Sequence, residues 1–284
     1  MKEKIRNILC SLPVLLVLPY LMVIIVNGAE QALTVHTFDP EEWIACMLEG
    51  QIPAGYEMEA VKAQAVVTRT NFYDEMYEGS SLRDIVIKRR EYGMSAGKFP
   101  ELFFRKKEEC YEEAVHETEN MVLTWNEELK LVPYHQISSG STRDGQEAFH
   151  SQEYSYLKSV DSSEDKKAEK YLSSFYIPAS QMPKVLEIRE RDSKGYVSWM
   201  LADGKPVEGE AFRTGLGLAS ADFKVQKIGS RYRFLCKGKG HGLGYSQYGG
   251  NCLAKAGYGW EHILQTYFPE MEIKNIVQIP KAGV

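Results

Sequence analysis

The hydrophobic pattern of the chain begins with an uninterrupted apolar run and then becomes periodic. Ile8 to Val26 contains 19 residues without a charge, preceded by Lys2, Lys4 and Arg6. As a helix it would span about 28 Å, close to the hydrocarbon thickness of a bilayer. Basic residues before the run and acidic ones soon after predict a membrane anchor with residues 1–7 in the cytoplasm. A cleaved signal peptide is the rival reading, but the run exceeds the usual apolar core of such a peptide. The expected localisation is therefore the cell membrane, single-pass, with the bulk of the chain outside the cytoplasm. Residues 27–40 read as a linker, with a strand near Leu33 to Thr37.

Periodic segments follow. Asp39-Pro40-Glu41-Glu42 is a strong helix start, and the helix is expected from Glu41 to about Glu49, with Gly50 ending it. Pro53, Gly55 and Tyr56 mark a break. A second helix is predicted from Met58 to Phe72. Its apolar residues go nearly all the way round, the pattern of a buried helix. Further helices are expected around 105–117, 251–255 and 261–267. Strands are expected at Met121 to Trp125, Leu131 to Gln136 and Phe223 to Ile228. The first two of these strands are expected to pair. Residues 162–209 are polar and weakly patterned and read as a peripheral insertion with its own helices. The predicted fold class is α+β: a single mixed extracytoplasmic domain over 41–284 with that insertion, after an N-terminal transmembrane helix.

The buried-looking helix carries Lys62, Gln64 and Arg69. Cations on such a helix need a partner or a ligand. Two readings stand: an internal ion pair, or a pocket wall facing an anionic or sugar ligand. The 17 Tyr residues suit carbohydrate stacking and ordinary surfaces alike. A net charge of -5, with no basic run beyond the N-terminal tail, argues against nucleic acid as a partner. Cys46, Cys110, Cys236 and Cys252 show no zinc spacing; they read as small buried thiols, with one or two disulfides as the alternative. Gly244-Tyr245-Ser246-Gln247-Tyr248 lacks the final Gly of a nucleophile elbow, and no dinucleotide or P-loop motif is present. No metal and no cofactor are expected.

Several stretches together carry a family resemblance. Met47-Leu48, Pro53-Ala54, and Glu59 to Val66 with Arg69-Thr70 resemble the signature of the stage II sporulation protein D family, which includes the amidase enhancer proteins. Tyr134 to Thr142 resembles the family's F-H-S-T-S-G-G-x-T, matching at His135, Ser138, Gly140 and Thr142 but not at Gln136, Ile137 or Ser139. Tyr154 to Asp161 resembles Y-L-x-S-V-x-D. Gly238 to Gly250 resembles G-x-G-H-G-V-G-M-S-Q-Y-G-A almost without a gap. It is the most specific match.

The resemblance implies a membrane-anchored lytic transglycosylase fold acting on peptidoglycan glycan strands in cell-wall remodelling during sporulation and engulfment. It implies substrate contacts from Lys62, Gln64, Arg69, His135, Ser138, Thr142, His241, Ser246 and Gln247. A cell-wall amidase is a candidate partner. Some relatives hold zinc with Cys and His near the His135 stretch; here His135 and His150 stand without Cys, so that site is expected to be missing. The family acid is the Glu of E-M-P, and its position here is Gln51. An amide has no proton of suitable pKa to give. Three alternatives follow: a binding protein that has lost its acid, an active enzyme using another carboxylate such as Glu49, Glu59 or Glu210, or an inactive amidase enhancer. On a helix Glu49 lies about 200° round from Gln51.

Overall fold

The computed structural model describes residues 40–79 and 108–279. Among these residues no helix is long and apolar enough to cross a membrane. The apolar run Ile8–Val26 and the expected strand near Leu33 lie outside them.

Helix α1 spans Pro40–Gln51. It passes through Gly50 and ends two residues later than expected. Gly in a last turn costs only about 1 kcal/mol relative to Ala, whereas Pro53 disfavours helical backbone at the residue before it. The two extra residues matter, because they place Gln51 on the helix itself. Helix α2, Met58–Tyr77, extends five residues beyond the expected end. Its residues Ala60, Val61 and Ala63 through Phe72 are buried. Val61, Ala65 and Phe72 pack with Ile44, Leu48 and Ile52 of the α1 segment and with Tyr111, Ala114 and Val115 of α3, Glu109–Glu117. Ala63, Val66 and Val67 face the other way, into a core with Leu123, Val132, Tyr156, Tyr245, Ile263, Leu264 and Phe268. The absence of a polar face thus follows from α2 being covered on two sides.

Strand β1, Met121–Trp125, pairs antiparallel with β2, Glu128–Leu129, and on its other side with β11, Glu272–Asn275. The expected pairing of 121–125 with 131–136 does not occur. Asn126 and Glu127 both take positive φ (52° and 67°), which closes a two-residue hairpin onto Glu128 instead. The 131–136 stretch supplies β3, Tyr134–His135, which runs parallel to β10, Tyr245–Ser246. After the short helix α4, Gly145–Phe149, the chain enters the segment that was expected to be helical. It forms strands β4 (Leu172–Pro178), β5 (Leu186–Arg191), β6 (Val197–Ala202) and β7 (Lys205–Glu208), with only short 3-10 turns between.

Helix α5, Gly209–Leu216, precedes β8, Phe223–Ile228, and β9, Arg231–Lys237. Sheet β4-β9-β8 and sheet β5-β6-β7 share a core of Met182, Val197, Met200, Phe212, Phe223 and Phe234. The segment is therefore woven into sheets with strands from outside it. Helices α6, Gln247–Lys255, and α7, Trp260–Tyr267, complete seven α-helices among the described residues. The molecule is mixed α+β.

Candidate functional site

Four polar side chains meet where α1, α2 and α6 converge. Gln51 ends α1; Gln64 and Thr68 lie one turn apart on α2; Gln247 opens α6. The Gln51 side-chain oxygen accepts from Gln64 Nε2 at 3.0 Å and from the Thr68 hydroxyl at 2.5 Å. Gln247 Nε2 donates to the Gln51 backbone carbonyl at 2.9 Å and to Gln64 Oε1 at 3.0 Å. Gln64, Thr68 and Gln247 are buried, while Gln51 is partly exposed. The sequence singled out all of these except Thr68, whose i+4 spacing from Gln64 was the available signal.

A second cluster adjoins the first through the Ser246-Gln247 peptide. Asp165 is fully buried; one of its oxygens accepts the Ser138 backbone N–H at 2.6 Å and the Ser246 hydroxyl at 2.7 Å. Its other oxygen is buried without a partner. Ser246 also caps α6, accepting from Gly249 N at 3.4 Å. His135 is buried, and its Nδ1 lies 3.0 Å from the Leu243 carbonyl. A carbonyl only accepts, so the proton sits on Nδ1 and Nε2 carries a lone pair. That Nε2 is buried and unpaired. Burial holds the His135 pKa below its ordinary value.

His241 stands edge-on to His135, ring centroids 5.8 Å apart. Its Nδ1 accepts from Leu243 N at 3.1 Å, which leaves the proton on Nε2. Burial first, then His135, Arg213 and Arg143, push its pKa down to about 3. Both imidazoles are therefore neutral near pH 7.

The alternate glycines make this packing accessible to the backbone. A Cβ on Gly240 would fall 2.6 Å from the His135 Cβ, and one on Gly244 2.1 Å from the Pro133 carbonyl oxygen. Both glycines take positive φ, at 116° and 65°, a region that L side chains rarely adopt. On the site's flank Arg143 pairs with Asp192 at 2.6 Å and lies over the Tyr196 ring, 5.0 Å from its centroid. Tyr56 and Tyr248 lie close enough to interact through their phenols; burial, then this proximity, raises the Tyr56 pKa.

Three predicted residues serve elsewhere. Arg69 is fully buried and spends every guanidinium N–H inside the protein: on the Glu41 carboxylate, Thr118 Oγ1, and the Met121 and Val115 carbonyls. No donor is left for a ligand. Lys62 pairs with Glu59 at 2.6 Å and with Glu117. Thr142 N donates to the Val160 carbonyl and its hydroxyl accepts from Val160 N at 2.9 Å, joining two loops.

The other carboxylates weighed as acids are also placed. Glu59 holds Lys62 and the Trp260 N–H, and Glu210 holds Arg213. Burial first, then Cys110, Glu108 and Glu49, raises the Tyr111 phenol to about 12. None of the hydrogen bonds in the glutamine cluster reaches a carboxylate. The four described cysteines are free thiols. Among the described residues no group of three or more His, Cys, Asp or Glu converges as a metal site.

The chain as a whole is similar to known proteins. The family profile described as Stage II sporulation protein matches residues 29–125. Stage II sporulation protein D of Bacillus subtilis (strain 168) is 29% identical over 261 residues, covering 82% of this chain and 74% of that protein. Over most of its length the chain is similar to stage II sporulation protein D. The Bacillus amyloliquefaciens protein of the same name is 28% identical, covering 82% of this chain and 73% of its own length. In this chain the glutamine cluster and the Asp165 cluster together bring Gln51, Gln64, His135, Ser138, His241, Ser246 and Gln247 into one region. The segment once read as peripheral contributes Asp165, Asp192 and Tyr196 to it.

Proposed function

We propose that this chain is a membrane-anchored, peptidoglycan-binding sporulation protein. In this reading it holds glycan strands during cell-wall remodelling in sporulation and engulfment, and cleaves them slowly or not at all. One observation carries the reading: at the position of the family's acid stands Gln51, its side-chain oxygen engaged by Gln64 and Thr68. Anhydro-ring formation on the glycan needs one group to protonate the leaving oxygen and then accept the C6 hydroxyl proton. An amide does neither. Gln64, Thr68 and Gln247 hold Gln51 in place through its side-chain oxygen and its backbone carbonyl, which supports retained binding without the proton step.

The neutral histidines fit the same reading. With both pKa values held down, neither offers a proton at neutral pH. The experiment is a pull-down with purified peptidoglycan, followed by digestion and mass spectrometry for anhydro-muropeptides. Binding without release is expected; failure to bind would overturn the reading.

A further inference from the structure

Amide nitrogen and oxygen look alike, yet the polarity of the glutamine cluster is determined by its one fixed member. The Gln51 backbone carbonyl can only accept. The Gln247 atom 2.9 Å from it is therefore the amide nitrogen. That nitrogen is also 3.0 Å from Gln64, so Gln64 must turn its oxygen towards Gln247. Gln64 then turns its nitrogen towards Gln51, at 3.0 Å, and Gln51 must answer with its oxygen. The Thr68 hydroxyl donates to the same oxygen. Every orientation follows from a single main-chain carbonyl.

The consequence falls on the atom left over. The Gln51 Nε2 has no protein partner among the described residues and is not one of the buried unpaired atoms. It belongs to a partly exposed side chain whose other end is clamped by two donors. Rotating the amide by 180° would set its NH2 against the Gln64 NH2 and the Thr68 hydroxyl. The outward group is thus a donor held in place by the protein, not one free to turn.

We infer that Gln51 is a specificity-determining residue that donates to the acetamido carbonyl of an N-acetylhexosamine. This rests on the glycan-binding reading above. A fixed N–H donor selects an acceptor oxygen, and the amide carbonyl is the strongest neutral acceptor on such a sugar. A de-N-acetylated sugar presents an ammonium at the same place, which offers only donors. Donor would face donor, and neither could be satisfied. Such a reader works independently of pH, because an amide does not titrate. A carboxylate at position 51 would keep the bonds from Gln64 and Thr68 but present an acceptor outward.

Titration calorimetry with two probes tests this: N-acetylchitotetraose and its fully de-N-acetylated counterpart. The wild-type chain should bind the acetylated sugar at least about tenfold more tightly. The net charge of -5 would favour the cationic probe, so the loss would appear against the electrostatic trend. Gln51→Glu should weaken binding of the acetylated sugar by about tenfold at pH 7. It should regain affinity as acidification protonates the new carboxyl, while the wild type stays flat over the same range. The Gln51 side-chain NH2 resonances should shift on adding the acetylated sugar. Equal affinity for both probes, or Gln51→Glu binding like wild type at pH 7, would overturn the assignment and leave the glycan reading standing. Binding of neither probe would overturn both.

Discussion

Arg69 and Glu41 meet as a two-pronged pair inside the protein, with Nη2 2.6 Å from Oε2 and Nε 2.8 Å from Oε1. The pair fastens the second helix to the first, one helix carrying Gln64 and the other Gln51. Arg69→Ala removes the cation paired with Glu41 and takes one donor from each of two backbone carbonyls. Breaking one side of a buried pair costs about 3–5 kcal/mol. Urea denaturation should show a loss of that order. An unchanged midpoint would return Arg69 to the list of ligand contacts.

Asp165 ties the Ser138 loop to the Ser246 cap with a single oxygen. Asp165→Ala leaves the buried Ser138 N–H unpaired, at a cost of about 1–3 kcal/mol. Asp165→Asn keeps an acceptor oxygen for both donors and should cost clearly less. Equal losses for the two variants, measured by thermal denaturation, would show that the charge rather than the acceptor is needed.

The histidine pair gives the protein an acid sensitivity of definite sign. His241 has a folded pKa of about 3, well under the unfolded value of about 6.5. Between those values the unfolded chain binds more protons than the folded one. Stability therefore falls as pH drops through that window and is fully recovered above it. Replacement by a side chain that does not titrate, His241→Gln, should narrow the gap between the melting temperatures at pH 7 and pH 4.5. An unchanged gap would contradict the assignment.

Asp74 acts with the opposite sign. Burial, then Glu78, raises its pKa to about 6, against the opposing pull of Lys130. Between about 4 and about 6 the folded chain holds the extra proton, so this group loses stability as pH rises through that window. Asp74→Asn should raise the melting temperature at pH 8 and change it little at pH 4. A drop at pH 8 would mean that the ionised carboxylate stabilises the fold.

Much of this was legible in the sequence where the signal is local. The helices around Glu41 and Met58, the strand at Met121 and the turn of glycines after Gly238 all follow from capping, periodicity or backbone freedom. Gln51, Gln64, Ser246 and Gln247 were singled out through motif resemblance, and the fold brings them together. The partner of Arg69 was not legible: it finds Glu41 28 residues away, and no spacing rule reaches that far. Asp165 was missed for the same reason, since its partners Ser138 and Ser246 lie 27 and 81 residues away. The segment 162–209 was read as helical because its apolar positions are sparse. Its strands are half-exposed, and only their pairing with β9 and with one another defines them.

The proposed function turns on position 51, where the resemblance implies an acid and the chain carries Gln. Its most direct test is anhydro-muropeptide release from purified peptidoglycan by wild type and Gln51→Glu, measured side by side across pH. The restored carboxyl would accept the existing bonds from Gln64 and Thr68, so the cluster should survive the change. General acid–base help is worth about 10²–10⁴-fold, and the variant should gain by roughly that factor, more strongly as pH falls. Wild type should release little or nothing. Release by wild type that Glu49→Gln abolishes, or no gain in Gln51→Glu, would contradict the account.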